Sequence, residues 1–574
     1  MSDTPITTRW YLPETPPDKL HEFFAQNELS GVLGELLYTR DSGSGDALVD
    51  FLNPTQTPLR DPFLLTDMQA AVDRITTALD KQEHVRIIGD YDVDGISATA
   101  LLYRGLRRFG IENVSYALPD RLGDGYGLNV RLIDEAINDS VKLLITVDNG
   151  VMANDEAAHA HENGLDLVIT DHHTLGDSLP VATAVINPKR DPEDSPFANI
   201  CGTAVAFELC SALNGHNDDV ALVAIATIAD VMPLTGENRQ LTARGLEEIQ
   251  RRQQPGIQAL LRVARLQPNT TRAQDIAFQV APRINASGRL GNGSTALQLL
   301  LTDDSDEANY LADELNRINE ERKQVEQLIT EQALEQLTSN GLADKRTIIL
   351  ASREWHPGVI GIVASKLQHR HHKPVVLIAI DEDGVGRGSG RSNDHFSLID
   401  AFTHCSDHFV KYGGHRNAAG MTINESEIES LREAFEQFAE SQDAPTSPVR
   451  TIHIDALLPF TEIGPDLLSD LDRLEPLGHA NHPPLFATFG AQLLPGSLRA
   501  LNGGHLQCSI QQDNRTFKAI GFNMADRIDM DSPPKKVDIS FVPKYNEWKG
   551  NTTIQLHLTD IKDSKNNPIS TDSV

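Results

Sequence analysis

The sequence predicts an α/β fold. A doubly wound parallel-sheet domain is joined by a long helix to a second α/β domain, and an OB-fold-like β-barrel follows. Three observations carry this. Buried apolar runs alternate with helical patterns at βαβ spacing between Val85 and Thr170. One unbroken helical pattern covers Asp306 to Asn340. After the polar stretch Glu440 to Pro448, short alternating runs and Gly/Pro turns take over. At 574 residues the chain exceeds a single core. We read a helical N-terminal segment 1–62, an α/β domain 63–304, a connector helix 305–342, a second α/β domain 343–442 and a barrel 448–574.

Residues 1–62 hold one or two short helices, such as Leu20 to Phe24, and a loose DSGSGD run. Met68, Ala71, Val72, Ile75 and Leu79 have helical spacing, with Thr66 as the N-cap. In VRIIGDYDVDG, Val85, Ile87 and Ile88 form a buried strand, and Asp90, Asp92 and Asp94 then occupy every second position. Buried charge needs a partner, and open α/β sheets bind ligands at the carboxyl ends of their strands. Hard divalent cations suit clustered carboxylates. An acidic turn closed by Gly95 is the plainer alternative. An EF-hand loop also starts DxDxDG, but it needs a late Glu, and Ile96 to Ala100 brings none.

A helix Thr99 to Phe109, a strand Ser115 to Ala117 and a Gly-rich loop Pro119 to Gly127 come next. Val141 to Val147 is a buried strand ending at Asp148, and Leu165 to Thr170 is another ending at Asp171-His172-His173. The apolar helix or strand Ala221 to Ala229 ends at Asp230. Together Asp90, Asp92, Asp94, Asp148, His172 and Asp230, with Asp171 and His173 beside them, suit Mn²⁺ or Mg²⁺ rather than a thiolate zinc site. Two such ions about 4 Å apart would clamp the attacking and leaving oxygens of a phosphoryl centre and activate a water.

Between Arg239 and Arg289 nine arginines face only Glu247, Glu248 and Asp275. They form either a phosphate track or a solvated helix surface. Leu311, Leu315, Ile318, Val325 and Ile329 follow a 4-3 pattern in the connector, which Gly341 ends as a C-cap. The second α/β domain shows strands Arg346 to Ala351, Val375 to Ile380 and Gly384 to Gly390, and a helix Gly358 to Leu367. In YGGHRNAAG, Tyr412 to Gly420, small residues let a backbone approach a ligand. Amides at a helix start there, with Arg391 and His415, would hold a phosphate. The last 130 or so residues show five or six short strands. Phe517, Lys518, Phe522, Lys544, Tyr545, Trp548 and Lys549 read as a single-strand stacking platform, with Tyr545 and Trp548 the stacking rings. Otherwise the phenylalanines are core.

Composition sets limits. With 40% hydrophobic and 23% charged residues the chain reads as an ordinary soluble protein. Its longest apolar run, Val220 to Ala229, is too short to span a bilayer. The start MSDTPITTRW lacks the pattern of a signal peptide, and the four cysteines form no CxxC pair, so a reduced cytoplasmic setting is expected. A net charge of −32 argues against nucleic-acid binding through a global positive field. Local basic paths and phosphates bridged to carboxylates by metal stay open.

DYDVDG, TVDNG, DHH and IADVMPL, in this order, resemble the four motifs of the DHH phosphoesterase superfamily, and YGGHRNAAG resembles its companion DHHA1 motif. WHPGVIGIVASKL, APRINASGR and the barrel narrow the resemblance to the RecJ family of single-strand-specific 5′→3′ DNA exonucleases. The likeness covers about residues 60–570. It implies that Asp92 binds one metal and Asp94 the other, that Asp148 bridges them, and that His172 and Asp230 complete the second site. Asp90 stands near a position where shorter relatives use His. His173 would lie behind the ligands or touch the scissile phosphate. Ser389, Arg391 and Arg121 would hold the substrate's 5′ end, and Arg283 and His415 its backbone phosphates. The resemblance further implies release of 5′-mononucleotides and roles in DNA recombination and repair. It also implies a monomer that works beside a single-strand binding protein and a RecQ-type helicase. Other members are oligonucleotide or phosphoadenosine-phosphate phosphoesterases, or non-catalytic single-strand-binding scaffolds.

Overall fold

A computed structural model describes residues 8–12, 31–40, 45–120, 127–216, 218–251, 254–291, 293–339, 341, 344–393, 395–446, 450–548 and 550–565. Leu20 to Phe24, most of DSGSGD, Arg121 and Arg252 lie outside these residues. The chain divides into two compact units. One comprises Asp50–Gln327 with Pro476–His482, and the other Met1–Val49, Leu328–Glu475 and Pro483–Val574.

The N-terminal segment is not purely helical as expected. It contributes strand β1 (Thr8–Tyr11) to the second unit. The first unit is built on β2 (Val85–Ile88), β3 (Val114–Ala117), β4 (Leu143–Val147), β5 (Asp166–Thr170) and β6 (Ala184–Ile186). All pair in parallel, in the order β3-β2-β4-β5-β6. Apolar residues cover both faces, as a doubly wound sheet requires. Val93, Ile96, Leu101, Val205, Leu209 and Val223 pack on one side. Ile88, Leu132, Leu144, Ala157 and Ile169 pack on the other.

Two local expectations change. Thr66 does not cap the helix Met68–Asp80. Asp67 takes the N-cap position in a left-handed conformation, and the Thr66 hydroxyl donates to Asp191 at 2.6 Å. The helix expected from Thr99 begins at Val93, because Asp92 caps it through the amides of Asp94 and Gly95. Asp90, Asp92 and Asp94 therefore do not alternate along a strand. They sit on a strand-to-helix turn.

The arginine-rich stretch is not a continuous track. Arg239 is 1% exposed and donates to the carbonyls of Phe51 and Pro476. Arg244 donates to the Thr57 carbonyl, Arg251 pairs with Glu247, and Arg262 engages Asn309 and Asp313. Arg239, Arg244 and Arg262 are spent on contacts between segments of the fold, and Arg251 on a surface pair within its own helix.

The connector is one helix, Ser305–Ser339, divided between the units after Gln327. In the second unit, β7 (Ile348–Ser352), β8 (Val375–Ile380), β9 (Val385–Arg391), β10 (Phe409–Gly414) and β11 (Ala418–Asn424) form a mixed sheet ordered β10-β11-β9-β8-β7. YGGHRNAAG does not open a helix. It is the hairpin between β10 and β11, with the His415 amide donating to Ala418 at 2.8 Å. Beyond it lie β12 (Arg450–His453), which pairs with β1 and not with the barrel, and β13 (Ala456–Leu457). Then come β14 (Phe486–Leu493), β15 (Arg499–Leu501), β16 (His505–Gln512), β17 (Arg515–Gly521), β18 (Lys536–Trp548) and β19 (Asn551–Asp563). The pairings β14–β18–β19–β17–β16–β14 close a five-stranded ring, with β17 and β19 parallel, which is the OB architecture.

A candidate two-metal centre

The strands β2, β4 and β5 are neighbours in the sheet. Their carboxyl ends therefore deliver Asp90 to Asp94, Asp148 and Asp171 to His173 to one edge, as the sequence predicts. Asp92 Oδ1 accepts the Asp94 and Gly95 amides at 2.9 and 3.1 Å. A side chain on Gly95 would stand 2.5 Å from the Asp90 nitrogen, so the turn closes only around glycine. Asp94 is gripped by the start of the helix Gly202–Asn214. The Gly202 and Thr203 amides each donate to its carboxylate at 2.7 Å, and the Thr203 hydroxyl donates to its carbonyl at 2.8 Å. These helix N-terminal amides favour negative charge.

Asp148 follows β4 with φ +62°, a left-handed conformation that costs a non-glycine residue of order 1–3 kcal/mol. Its amide donates to the Thr170 carbonyl at 3.0 Å, and Asn149 Nδ2 bridges to the carbonyls of Ile88 and Val147. Gly202 makes room for it, since a Cβ there would lie 2.6 Å from the Asp148 Cβ. Asp230 ends the helix Val220–Ala229, and the exposed Val231 beyond it has φ +57°. His172 Nε2 stands 3.1 Å from Asp148 Oδ1, 3.6 Å from Asp94 Oδ2 and 3.7 Å from Asp230 Oδ2. Asp171 collects the amides of Val151, His172 and His173 and the His173 Nδ1, the last at 2.7 Å.

Two triads emerge whose ligand atoms lie within 4.8 Å of one another: Asp90, Asp92 and Asp148, and Asp94, His172 and Asp230. Asp148, His172 and His173 form a third such group that joins them. Burial, then the charges of Asp94 and Asp92, hold Asp148 well above the usual carboxylate range and push Asp230 up to about 8. Burial and Asp94 raise Asp92 likewise. Burial lowers His172 despite its carboxylate neighbours. His173 behaves oppositely. Burial opposes its charge, but the hydrogen bond and charge of Asp171 raise it to about 9, and Asp171 is itself lowered against burial by that same partner. Carboxylates that repel each other in a buried site, with an imidazole kept neutral beside them, form the donor set of a hard divalent cation.

The remaining predicted residues fall elsewhere. Arg283 is buried, and its guanidinium donates to Asn316 Oδ1 and the Val263 carbonyl. In the second unit, Arg391 Nη1 donates to Ser389 Oγ at 3.1 Å, so these two share one face of β9. Their register partners are Ala418 and Gly420 of the YGGHRNAAG hairpin, at whose turn His415 is exposed. In the barrel, Leu506, Cys508 and Ile510 point inward, and register carries this row through Ala519, Leu556 and Pro543 to Tyr545. Tyr545 thus continues the interior row at one barrel end, 49% exposed. The opposite face carries Ser509, Lys518, Gln555 and Lys544 in one row. Phe522, 52% exposed, has ring contacts with His505 at 5.3 Å and His557 at 6.0 Å. The Trp548 side chain lies outside the described residues.

Sequence reasoning passed over Gly202 and Thr203, and in APRINASGR it singled out Arg283 and Arg289 but not Asn285 or Gly288. Asn285 Oδ1 accepts the Val93 amide at 3.2 Å. A Cβ on Gly288 would meet the Tyr91 carbonyl at 2.2 Å. The helix Ala281–Leu290 therefore lies against the acidic turn. A glycine inside a helical pattern was the available signal, since it marks close backbone approach.

Three family models match the chain: DHH family, N-terminal domain, over residues 84–234; DHHA1 domain, over 344–441; and RecJ OB domain, over 454–560. It is 33% identical over 555 residues to the single-stranded-DNA-specific exonuclease RecJ of Bacillus subtilis (strain 168), covering 96% of this chain and 70% of that protein. The chain belongs to the RecJ family. RecJ of Salmonella typhimurium is 33% identical over 524 residues, 87% of this chain and 90% of its own. The crystal structure of RecJ in complex with Mn²⁺ from Thermus thermophilus matches with a TM-score of 0.83 at 31% identity, covering 97% of this chain and 80% of that one. The corresponding Mg²⁺ complex matches at 0.78 and 30%, covering 97% and 78%. Among the described residues no helix is long and apolar enough to cross a membrane.

Proposed function

We propose that this RecJ-family chain is a single-stranded-DNA-specific 5′→3′ exonuclease that releases 5′-mononucleotides at a pair of Mn²⁺ or Mg²⁺ ions. The observation that carries it is the pair of triads joined through Asp148 and His172, 3.1 Å apart. Asp90 and Asp92 would hold one ion, Asp94, His172 and Asp230 the other, and Asp148 both. The ions supply charge neutralisation of the phosphodiester and a water acidic enough to react at neutral pH.

The chain's own groups do the rest. The helix start at Gly202 and Thr203 and the turn amides at Asp94 and Gly95 fix the carboxylates before any ligand arrives. Asp171 keeps His173 protonated at neutral pH, so this imidazolium can donate to a phosphoryl oxygen. Ser389, Arg391 and Arg121 would hold the strand's 5′ end, and His415 a backbone phosphate. Arg283, expected beside His415 on the backbone phosphates, instead commits its guanidinium to Asn316 and Val263. The barrel would hold the strand outside the chemistry. The setting is cytoplasmic recombination and repair, as a monomer beside a single-strand binding protein and a RecQ-type helicase.

The test is Mn²⁺- or Mg²⁺-dependent digestion of 5′- and 3′-labelled single strands beside duplex and RNA. Mononucleotides should appear from the 5′ end of single-stranded DNA alone. Cleavage confined to di- to pentanucleotides would instead indicate a short-oligonucleotide phosphoesterase.

A further inference from the structure

The turn that carries Asp92 and Asp94 is braced by Asn285, and the geometry of that brace fixes more than the turn. Val93, the residue between the two carboxylates, donates its backbone N–H to Asn285 at 3.2 Å. A backbone N–H can only donate, so the amide atom facing it is the carbonyl oxygen, and the orientation of the Asn285 side chain follows from the network. The other limb of the planar amide is then the NH₂ group. It donates to no group among the described residues, although five aspartates of the acidic cluster stand on and around the same turn. Asn285 is only half-buried, and its Nδ2 is not sealed in the core. Gly288, one turn on, lets the helix close against Tyr91, so the asparagine is held at a fixed distance from the turn. The result is a neutral, preoriented and unused hydrogen-bond donor at the edge of a site whose carboxylates only accept.

We propose that Asn285 is a substrate-contacting residue, whose Nδ2 donates to a non-bridging phosphoryl oxygen of the nucleotide at the metal centre while Oδ1 stays on Val93. This rests on the phosphodiesterase reading above. Every carboxylate there accepts hydrogen bonds and repels the phosphate. A neutral amide donor contributes attraction without competing with the ions for their ligands. Being uncharged, it keeps that role at any pH at which the enzyme is folded.

Two full-length variants separate contact from bracing. Asn285→Asp keeps an acceptor for the Val93 N–H and replaces the donor with a second acceptor. Asn285→Ala removes both. Mn²⁺ affinity is measured by calorimetry on the DNA-free protein, the unfolding midpoint by circular dichroism, and kcat and KM on a 5′-labelled single strand. We expect Asn285→Asp to retain the fold and bind Mn²⁺ at least as tightly as wild type. Its kcat should fall by about 10²-fold, the loss typical of one missing transition-state donor. Asn285→Ala should lose Mn²⁺ affinity as well. Wild-type kcat in Asn285→Asp overturns the contact and leaves a brace only. Loss of Mn²⁺ affinity in Asn285→Asp overturns it too, because the defect then lies in the turn. A wild-type enzyme that cleaves only short oligonucleotides would defeat the exonuclease reading, and the same contrast would be read on those oligonucleotides.

Discussion

At the scale of single residues the centre is a set of groups kept from their preferred protonation states. Asp148 lies near Asp94, Asp92 and Asp90 in a buried site on a left-handed backbone, so the fold holds it at a cost that a cation removes. Asp148→Ala should cut Mn²⁺-dependent hydrolysis of single-stranded DNA by more than about 100-fold. Without metal its unfolding midpoint should match or exceed that of wild type. Full activity in this variant would refute the bridging role. The pH behaviour follows from the same groups. Folding raises Asp230 from 3.8 to about 8 and His173 from 6.5 to about 9. The folded chain thus keeps protons that the unfolded chain has released, so stability falls as pH rises through these windows. Asp171, lowered from 3.8, has its contribution complete by then. The metal-free midpoint should fall between about pH 6 and pH 9, and Mn²⁺, competing with those protons, should raise it more at the alkaline end. A flat metal-free profile would contradict it. Asp148, His172 and Asp230 were legible in the sequence because charged groups that directly follow apolar runs sit at element ends. Gly202, Thr203 and Asn285 were not, because backbone amides and amide orientations have no sequence signature until their neighbours are placed.

At the scale of elements, what was legible depended on whether local pattern or tertiary pairing sets the conformation. The strands β2, β4 and β5 announce themselves by continuous apolar runs, since both faces are covered. YGGHRNAAG did not. Its glycines read equally as a helix start or a hairpin, and pairing with β9 decides for the hairpin. β1 and β12 pair across more than 400 residues of sequence, which no local window can see. Packing of the helix Ala281–Leu290 on the acidic turn has a direct test. Gly288→Ala would place a methyl 2.2 Å from the Tyr91 carbonyl. The forced shift should cost about 1–3 kcal/mol of stability and weaken Mn²⁺ binding, read by thermal melts and calorimetry. An unchanged Mn²⁺ affinity would mean the brace does not control the turn. The barrel offers a second candidate for the stacking ring beside Tyr545. Tyr545 lies on the row that continues the interior, whereas Phe522 stands exposed between His505 and His557. Phe522→Ala should weaken binding of a long single strand by about 1–3 kcal/mol, measured by fluorescence anisotropy. Tyr545→Ala should cost less, and the reverse ranking would place the platform at the barrel end.

For the whole molecule, the balance of 82 acidic against 50 basic residues sets how a polyanion is met. Of the guanidiniums that were candidates for a phosphate track, those of Arg239, Arg244 and Arg283 are committed within the fold and that of Arg262 pairs with Asp313 at the surface, so they form no cationic path against that field. A basic nuclease draws DNA from a distance, and its association slows steeply as salt rises. Here the long-range field repels the strand, while any attraction comes from short-range groups such as Lys518 and Lys544 on the barrel and from ions in the acidic cluster. The Debye length shrinks from about 30 Å at 0.01 M to about 10 Å at 0.1 M salt. Added salt over that interval screens the distant repulsion before it reaches the close contacts. The association rate constant for single-stranded DNA, measured by stopped-flow in monovalent salt, should therefore rise from about 0.01 M to about 0.1 M and fall only beyond. Mn²⁺ should raise it further than its ionic strength alone explains, since each ion held among the carboxylates subtracts two charges from the field the strand approaches. A monotonic fall with salt across the whole range would show instead that a local cationic path, and not the net charge, governs the encounter.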